Sequence, residues 1–128
     1  MNAVEIEEAV TELAEKPFDT AEFPYQFLAA FGNKDTTIRR LRAGSTNPSD
    51  LPGGVLQRSN IHIAVAPPGK VTQTLVALRG SPATTKAKAR FILATDGDGF
   101  EAEELESGAT VACAYADFPN HFGFFLSL

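Results

Sequence analysis

The stretch 91–101, FILATDGDGFE, sets Asp96 and Asp98 among two glycines at the end of an apolar run, and Glu101, Glu103, Glu104 and Glu106 follow closely. Carboxylates at that density raise two chemistries, cation binding and acid–base catalysis. A calcium loop needs oxygen ligands at its first, third and fifth positions and glycine at the sixth. Counted from Asp96, the fifth position is Phe100 and the sixth is Glu101, so that loop fails. Zinc is poorly served, because the one cysteine, Cys113, and the two histidines, His62 and His121, have no paired ligand spacing. No nucleophile-elbow pattern and no phosphate-binding glycine loop is present. A metal-dependent nuclease would place one acid on a strand and an acid-x-lysine pair on the next, so that carboxylates hold the cation while lysine helps activate water. No aspartate or glutamate of this chain has lysine two positions later. Asp50 precedes a candidate hairpin where the first acid would stand, but NIHIA occupies the strand that would carry the pair.

The basic residues are a second candidate. Residues 1–33 sum to −6, residues 34–90 to +8 and residues 91–128 to −7, a pattern hidden by the net charge of −5. A basic middle between acidic ends suits either a nucleic-acid face or an electrostatic match between segments that pack together. Arg39, Arg40 and Arg42 form the densest cluster, and Arg58, Lys86, Lys88 and Arg90 complete the candidates for phosphate contact.

The elements that must position these residues follow from the apolar periodicity. Asn2 caps a first helix with Val4, Ile6, Val10 and Leu13 as its apolar stripe, and Pro17 ends it. Asp19 or Thr20 caps a second helix, whose Phe23, Phe27 and Phe31 recur at four-residue spacing as core, with Gly32 as its stop. A third runs through DTTIRRLRAG, with Asp35 as candidate cap, Ile38 and Leu41 inward and Gly44 at its end. STNPSDLPGG is a loop, and GVLQRSNIHIAVAPPG reads as two strands around a turn at residues 58–60. KVTQTLVALRG suits a helix, and Ser81-Pro82 opens another turn. RFILATD, FEAEEL and TVACAYA are strand-like, with Gly97-Asp98-Gly99 as a hairpin turn and the return strand carrying an acidic outer face. Cys113 reads as a small buried hydrophobe and each histidine as a sheet or surface residue. With 128 residues, no repeat and no linker, the expectation is one α/β domain, α+β being the variant, with N-terminal helices before a small mixed sheet. No run reaches the roughly 18 apolar residues of a membrane span, and MNAVEIEEAV lacks the pattern of a secretory signal, so a cytoplasmic protein is expected.

Four stretches, TTIRRLRAGSTN, GGVLQRSNIHIA, SPATTKAKARFILATDG and DFPNHFGFFLSL, resemble the N-terminal domain of MmeI-like DNA methyltransferases of restriction-modification and phage-defence systems. The resemblance runs from about Phe27 to Leu128, and its most specific parts are the RFI-x2-TD-G and DFP-x-HF-x-FFL segments. Ser127 departs from it, since proline is expected there. The resemblance implies that residues 1–128 are an N-terminal piece of a larger protein whose S-adenosylmethionine-dependent, adenine-specific methyl transfer happens elsewhere. The apolar end FGFFLSL and the lack of an NPPY-type motif agree with it. It also leaves open a relation to a degenerate restriction-endonuclease-like fold.

Three functional expectations result. The first is a noncatalytic domain of a DNA methyltransferase, with no cofactor of its own, whose partners are DNA and the methyltransferase and target-recognition domains of the same chain. The second is a divergent nuclease using Asp50 and Asp96 with the rest of the acidic segment. The third is a protein-interaction module with the apolar C-terminus as its interface.

Overall fold

The computed structural model describes residues 1–126, so Ser127 lies outside the described residues. Three helices come first: α1 (Ala3–Glu15), α2 (Phe23–Ala30) and α3 (Asp35–Ala43). A five-stranded sheet then forms in chain order, from β1 (Val55–Gln57), β2 (Ile61–Val65), β3 (Phe91–Thr95), β4 (Gly99–Glu104) and β5 (Thr110–Ala114). Helices α4 (Val71–Gly80) and α5 (Pro82–Lys86) cross over between β2 and β3, and a 3₁₀ segment, Tyr115–Phe125, follows β5. Only the β2–β3 pair is parallel, which is why it is the pair joined by a helical crossover rather than a hairpin. The expected α/β architecture, helices followed by a mixed sheet, is what the chain adopts.

Local chemistry explains most of the element ends. The Asn2 side chain accepts from the Glu5 amide at 2.9 Å and the Glu5 carboxylate accepts from the Asn2 amide at 3.3 Å, a reciprocal capping box that starts α1. Lys16 is extended before Pro17, whose ring forbids a further helical residue. Gly44 closes α3 at φ 85°, a left-handed position that suits glycine. Three expectations shift. Glu22, and not Asp19 or Thr20, stands at the cap of α2, and the Asp19 carboxylate accepts from the Ala21 and Glu22 amides in the turn before it. Asp35 lies inside the first turn of α3, where it pairs with Arg39, and Lys34 occupies the cap. Val4 is 63% exposed, so the buried stripe of α1 is Ile6, Val10 and Leu13.

The sheet is covered on both faces, and every residue of β3 is therefore buried, apolar or not. One face, with Ile61, Ile63, Phe91, Leu93, Phe100 and Ala102, packs under α1, α2, α3 and the C-terminal segment. Phenylalanine dominates this core: Phe27 meets Phe125 edge-on at 5.2 Å, and Phe100 stacks on Phe118 at 4.8 Å and 3°. Phe118 and Phe125 are buried and Phe122 and Phe124 half-buried, while Leu126 is exposed, so much of the apolarity of the C-terminal stretch lies inside the domain. The opposite face, with Ala64, Ile92 and Ala94, packs under Val71, Leu75 and Leu78 of α4. Glu101 and Glu103 of β4 are half-buried on the α4 side, where Glu101 accepts from the Thr72 hydroxyl at 2.6 Å and Glu103 pairs with Arg79 at 2.5 Å. The acidic face of that strand is thus partly a helix contact.

Candidate nucleic-acid interface

The fold sorts the seven basic candidates into two groups. Arg39 forms an i, i+4 ion pair with Asp35 at 2.6 Å. Arg42 holds both carboxylate oxygens of Glu22, at 2.5 and 2.9 Å, and its guanidinium lies 4.3 Å over the Tyr25 ring. That two-pronged contact lowers the Glu22 pKa and raises that of Arg42, the shared hydrogen bonds being the main cause. Arg79 and Arg42 are the points where the basic middle meets the acidic ends, so the electrostatic match between segments is real but uses few of the bases.

The other five gather around one end of the sheet. The β1–β2 turn presents Arg58, with Ser59 at φ 60°, and the Ser59 amide donates to the Ala87 carbonyl at 2.8 Å. The Asn60 carbonyl accepts from the amides of Arg90 and Phe91 at 2.7 and 3.0 Å. These bonds draw the turn, the end of α5 and the start of β3 together, and with them Arg58, Lys86, Lys88 and Arg90. Lys88 sits at φ 56° and is exposed, and the Arg90 guanidinium lies 5.8 Å from the Phe91 ring centroid. Arg40, on the exposed side of α3, joins them through a hollow whose wall it shares with Arg58. Arg40, Arg58, Lys86 and Lys88 make no ion pair among the described residues.

The carboxylates of the nuclease alternative have other duties. Asp50 accepts from the Ser81 hydroxyl at 2.5 Å and the Ala83 amide at 3.3 Å, and these contacts hold its carboxyl below the usual range, the Ser81 bond most strongly. Asp96 accepts from the Gly99 and Asp98 amides at 2.8 and 2.9 Å and from the Gly69 amide at 2.8 Å, which closes the β3–β4 turn and lowers its pKa, the Gly99 amide foremost. Asp96 follows the last residue of β3, whereas Asp50 follows Ser49, whose hydroxyl bonds His62, and His62 pairs with Ile92 four residues back along the sheet. At roughly 3.3 Å per residue that offset is about 13 Å. Among the described residues no three histidine, cysteine or acidic side chains gather as a metal site. The strand that would carry an acid-x-lysine pair is β2, and the residues on its α4 side are His62 and Ala64.

His62 is fully buried and organises the loop beneath the basic end, a role its sequence context does not announce. Thr84 Oγ1 donates its one proton to the Leu78 carbonyl at 2.8 Å, so at 2.8 Å from His62 Nδ1 it accepts. Nδ1 therefore carries the imidazole proton, and Nε2 accepts from the Ser49 hydroxyl at 2.7 Å. Burial pushes the His62 pKa down to about 4, against a small opposing pull from Asp50. The result is a neutral imidazole that ties the 45–54 loop to α5. Asn47 completes the loop by accepting from the Leu56 amide at 2.9 Å and donating to the Gly54 carbonyl at 3.0 Å. A Cβ on Gly54 would stand 2.3 Å from Ser49 Oγ, so glycine is required there. His121 is exposed, as expected of a surface residue, whereas Cys113, expected to be buried, is half-buried on β5 against the aromatic core.

No helix among the described residues is long and apolar enough to cross a membrane. Comparison with known proteins gives the arrangement its context. The chain is 26% identical over 127 residues to DNA methyltransferase A of Bacillus subtilis (strain 168), an alignment that takes in 99% of this chain and 14% of that protein. The chain thus spans 14% of the length of the relative it matches. No solved structure matches it. Residues 1–128 match the family described as the N-terminal domain of MmeI, and the chain belongs to that family.

Proposed function

We propose that this chain is a noncatalytic N-terminal domain of an adenine-specific DNA methyltransferase of a restriction-modification or phage-defence system, and that it contacts the DNA backbone through its basic end. The observation that carries the reading is the sorting of the bases: Arg40, Arg58, Lys86 and Lys88 sit at one end of the sheet without an acid partner among the described residues. Cations left unpaired on one surface attract phosphates and release their counterions without reading sequence. Most acids lie on α1, along β4 and after β5; Asp50 and the Glu104 end of β4 border the basic end, and it is the excess of cations there that draws a duplex toward the α3–α5 side.

Methyl transfer and S-adenosylmethionine belong, in this reading, to the remainder of a cytoplasmic parent enzyme, whose methyltransferase and target-recognition domains are the other expected partners. The capping duties of Asp50 and Asp96, and the presence of His62 and Ala64 on β2, weigh against the nuclease alternative. Packing of Phe118 and Phe125 into the core weighs against the apolar C-terminus as an interaction surface. Titration of the chain with a short random-sequence duplex at about 50 and about 200 mM salt tests the proposal. Binding at the lower concentration that weakens at the higher is expected, and no binding at either removes DNA contact from the account.

A further inference from the structure

The basic end contains two hollows that share Arg58 as a wall, and their charges differ. One, of about 390 Å³, holds Arg58 and Lys86 together with the carboxylate of Asp50. The other, of about 190 Å³, is lined by Thr37, Arg40, Leu41, Thr46, Gln57 and Arg58, two arginines among them and no acidic residue. An anion entering the first meets a carboxylate held in its charged form by Ser81, while in the second it meets cations, hydroxyls and an amide.

The second hollow is also built from fixed parts. The Gln57 side chain donates to the Asn33 side-chain oxygen at 2.8 Å and accepts from the Asn60 side-chain amide, so this lining side chain is tied on both sides. Leu41 is buried and anchors the α3 wall, and the Ser45 hydroxyl donates to the Arg40 carbonyl at 3.2 Å. At about 30 Å³ per water, the space takes a phosphate group and a few waters. Guanidinium forks match phosphate oxygens two at a time, and the nearby Thr37 and Thr46 hydroxyls supply further donors.

We infer that this hollow holds a single phosphate of the nucleic-acid backbone, clamped jointly by Arg40 and Arg58. The inference rests on the DNA-contact reading above and sharpens it from a general field to one anchored position. It also fixes an arithmetic consequence. Two arginines on one phosphate release its counterions once, so the salt slope of binding falls by about 0.9 when both are removed and stays close to that of the parent chain when one remains to neutralise the phosphate. Two arginines on separate phosphates would lower it by about 1.8 in the double variant.

Arg40→Gln, Arg58→Gln, the double variant and Arg39→Gln are each titrated with the same duplex across a salt series. Arg40 and Arg58 are exposed and make no ion pair among the described residues, so their variants should melt like the parent chain. The expected result is non-additive: the slope stays close to that of the parent chain in each single variant and drops by about 0.9 only in the double variant, and Arg39→Gln is unchanged. Additive losses with a drop of about 1.8, or no loss in the double variant while the parent chain binds DNA, would overturn the shared clamp and leave DNA contact standing. Absence of binding by the parent chain removes both.

Discussion

Replacing His62 with glutamine should change how the stability of the domain responds to pH, more than any other single substitution on the sheet. The buried imidazole is neutral, and its pKa is pushed down from 6.5 to about 4 by burial. A group of this kind takes up its proton more readily in the unfolded chain, so stability rises with pH across the interval. The sign is fixed: the contribution is fully present above the unfolded pKa and is lost as pH falls from 6.5 toward 4. For one such proton the loss between about pH 7 and about pH 5 is close to 2 kcal/mol, and about 1 kcal/mol where water reaching the site past Ser49 softens the burial. Asp50 and Asp96 titrate below the usual carboxylate range, and so largely outside that window. Urea denaturation followed by circular dichroism at about pH 7 and about pH 5 reads the difference for the parent chain and for His62→Gln. The parent should lose about 1–2 kcal/mol more than the variant. Equal losses in the two chains would refute the neutral, buried imidazole as the link between the 45–54 loop and α5.

Two further substitutions test the packing. Gly97→Ala places a Cβ 2.7 Å from the Phe18 ring at a position with φ 89°, and Phe18 is itself held against Phe23 and Tyr115, so the melting midpoint should fall by an amount equivalent to about 2–3 kcal/mol. Phe118→Ala removes the ring stacked on Phe100, which packs also against Phe23, Phe27 and Tyr115, and should cost about 3–5 kcal/mol in denaturant titration; a loss below about 1 kcal/mol would contradict the aromatic core.

What could be read from the sequence was mostly local. The starts and stops of the helices depend on a few adjacent residues, and Asn2, Pro17, Gly32, Gly44 and Ser81-Pro82 marked them correctly. The β3–β4 hairpin was legible for the same reason, because Asp96 closes its turn with amides two and three residues away. The site depended on longer connections. Arg42 meets its acid across 20 residues and Arg79 across 24, so the sequence showed a basic middle without showing which cations remain unpaired. Ser49 and Thr84 reach His62 across 13 and 22 residues, a network that no spacing rule predicts. The exposure of Val4 has a simpler cause: α1 packs on one narrow stripe, and Val4 lies off it.

The central claim is that DNA meets the α3–α5 end of this domain, and amide chemical-shift mapping with a short random-sequence duplex tests it residue by residue. Shifts should concentrate at Arg40, the 57–60 turn and residues 86–90, and should fade as salt rises, leaving α1 and the 99–102 end of β4, away from Arg90, unmoved. Shifts centred on β4, β5 or α1, or a spectrum that the duplex leaves unchanged, would contradict it.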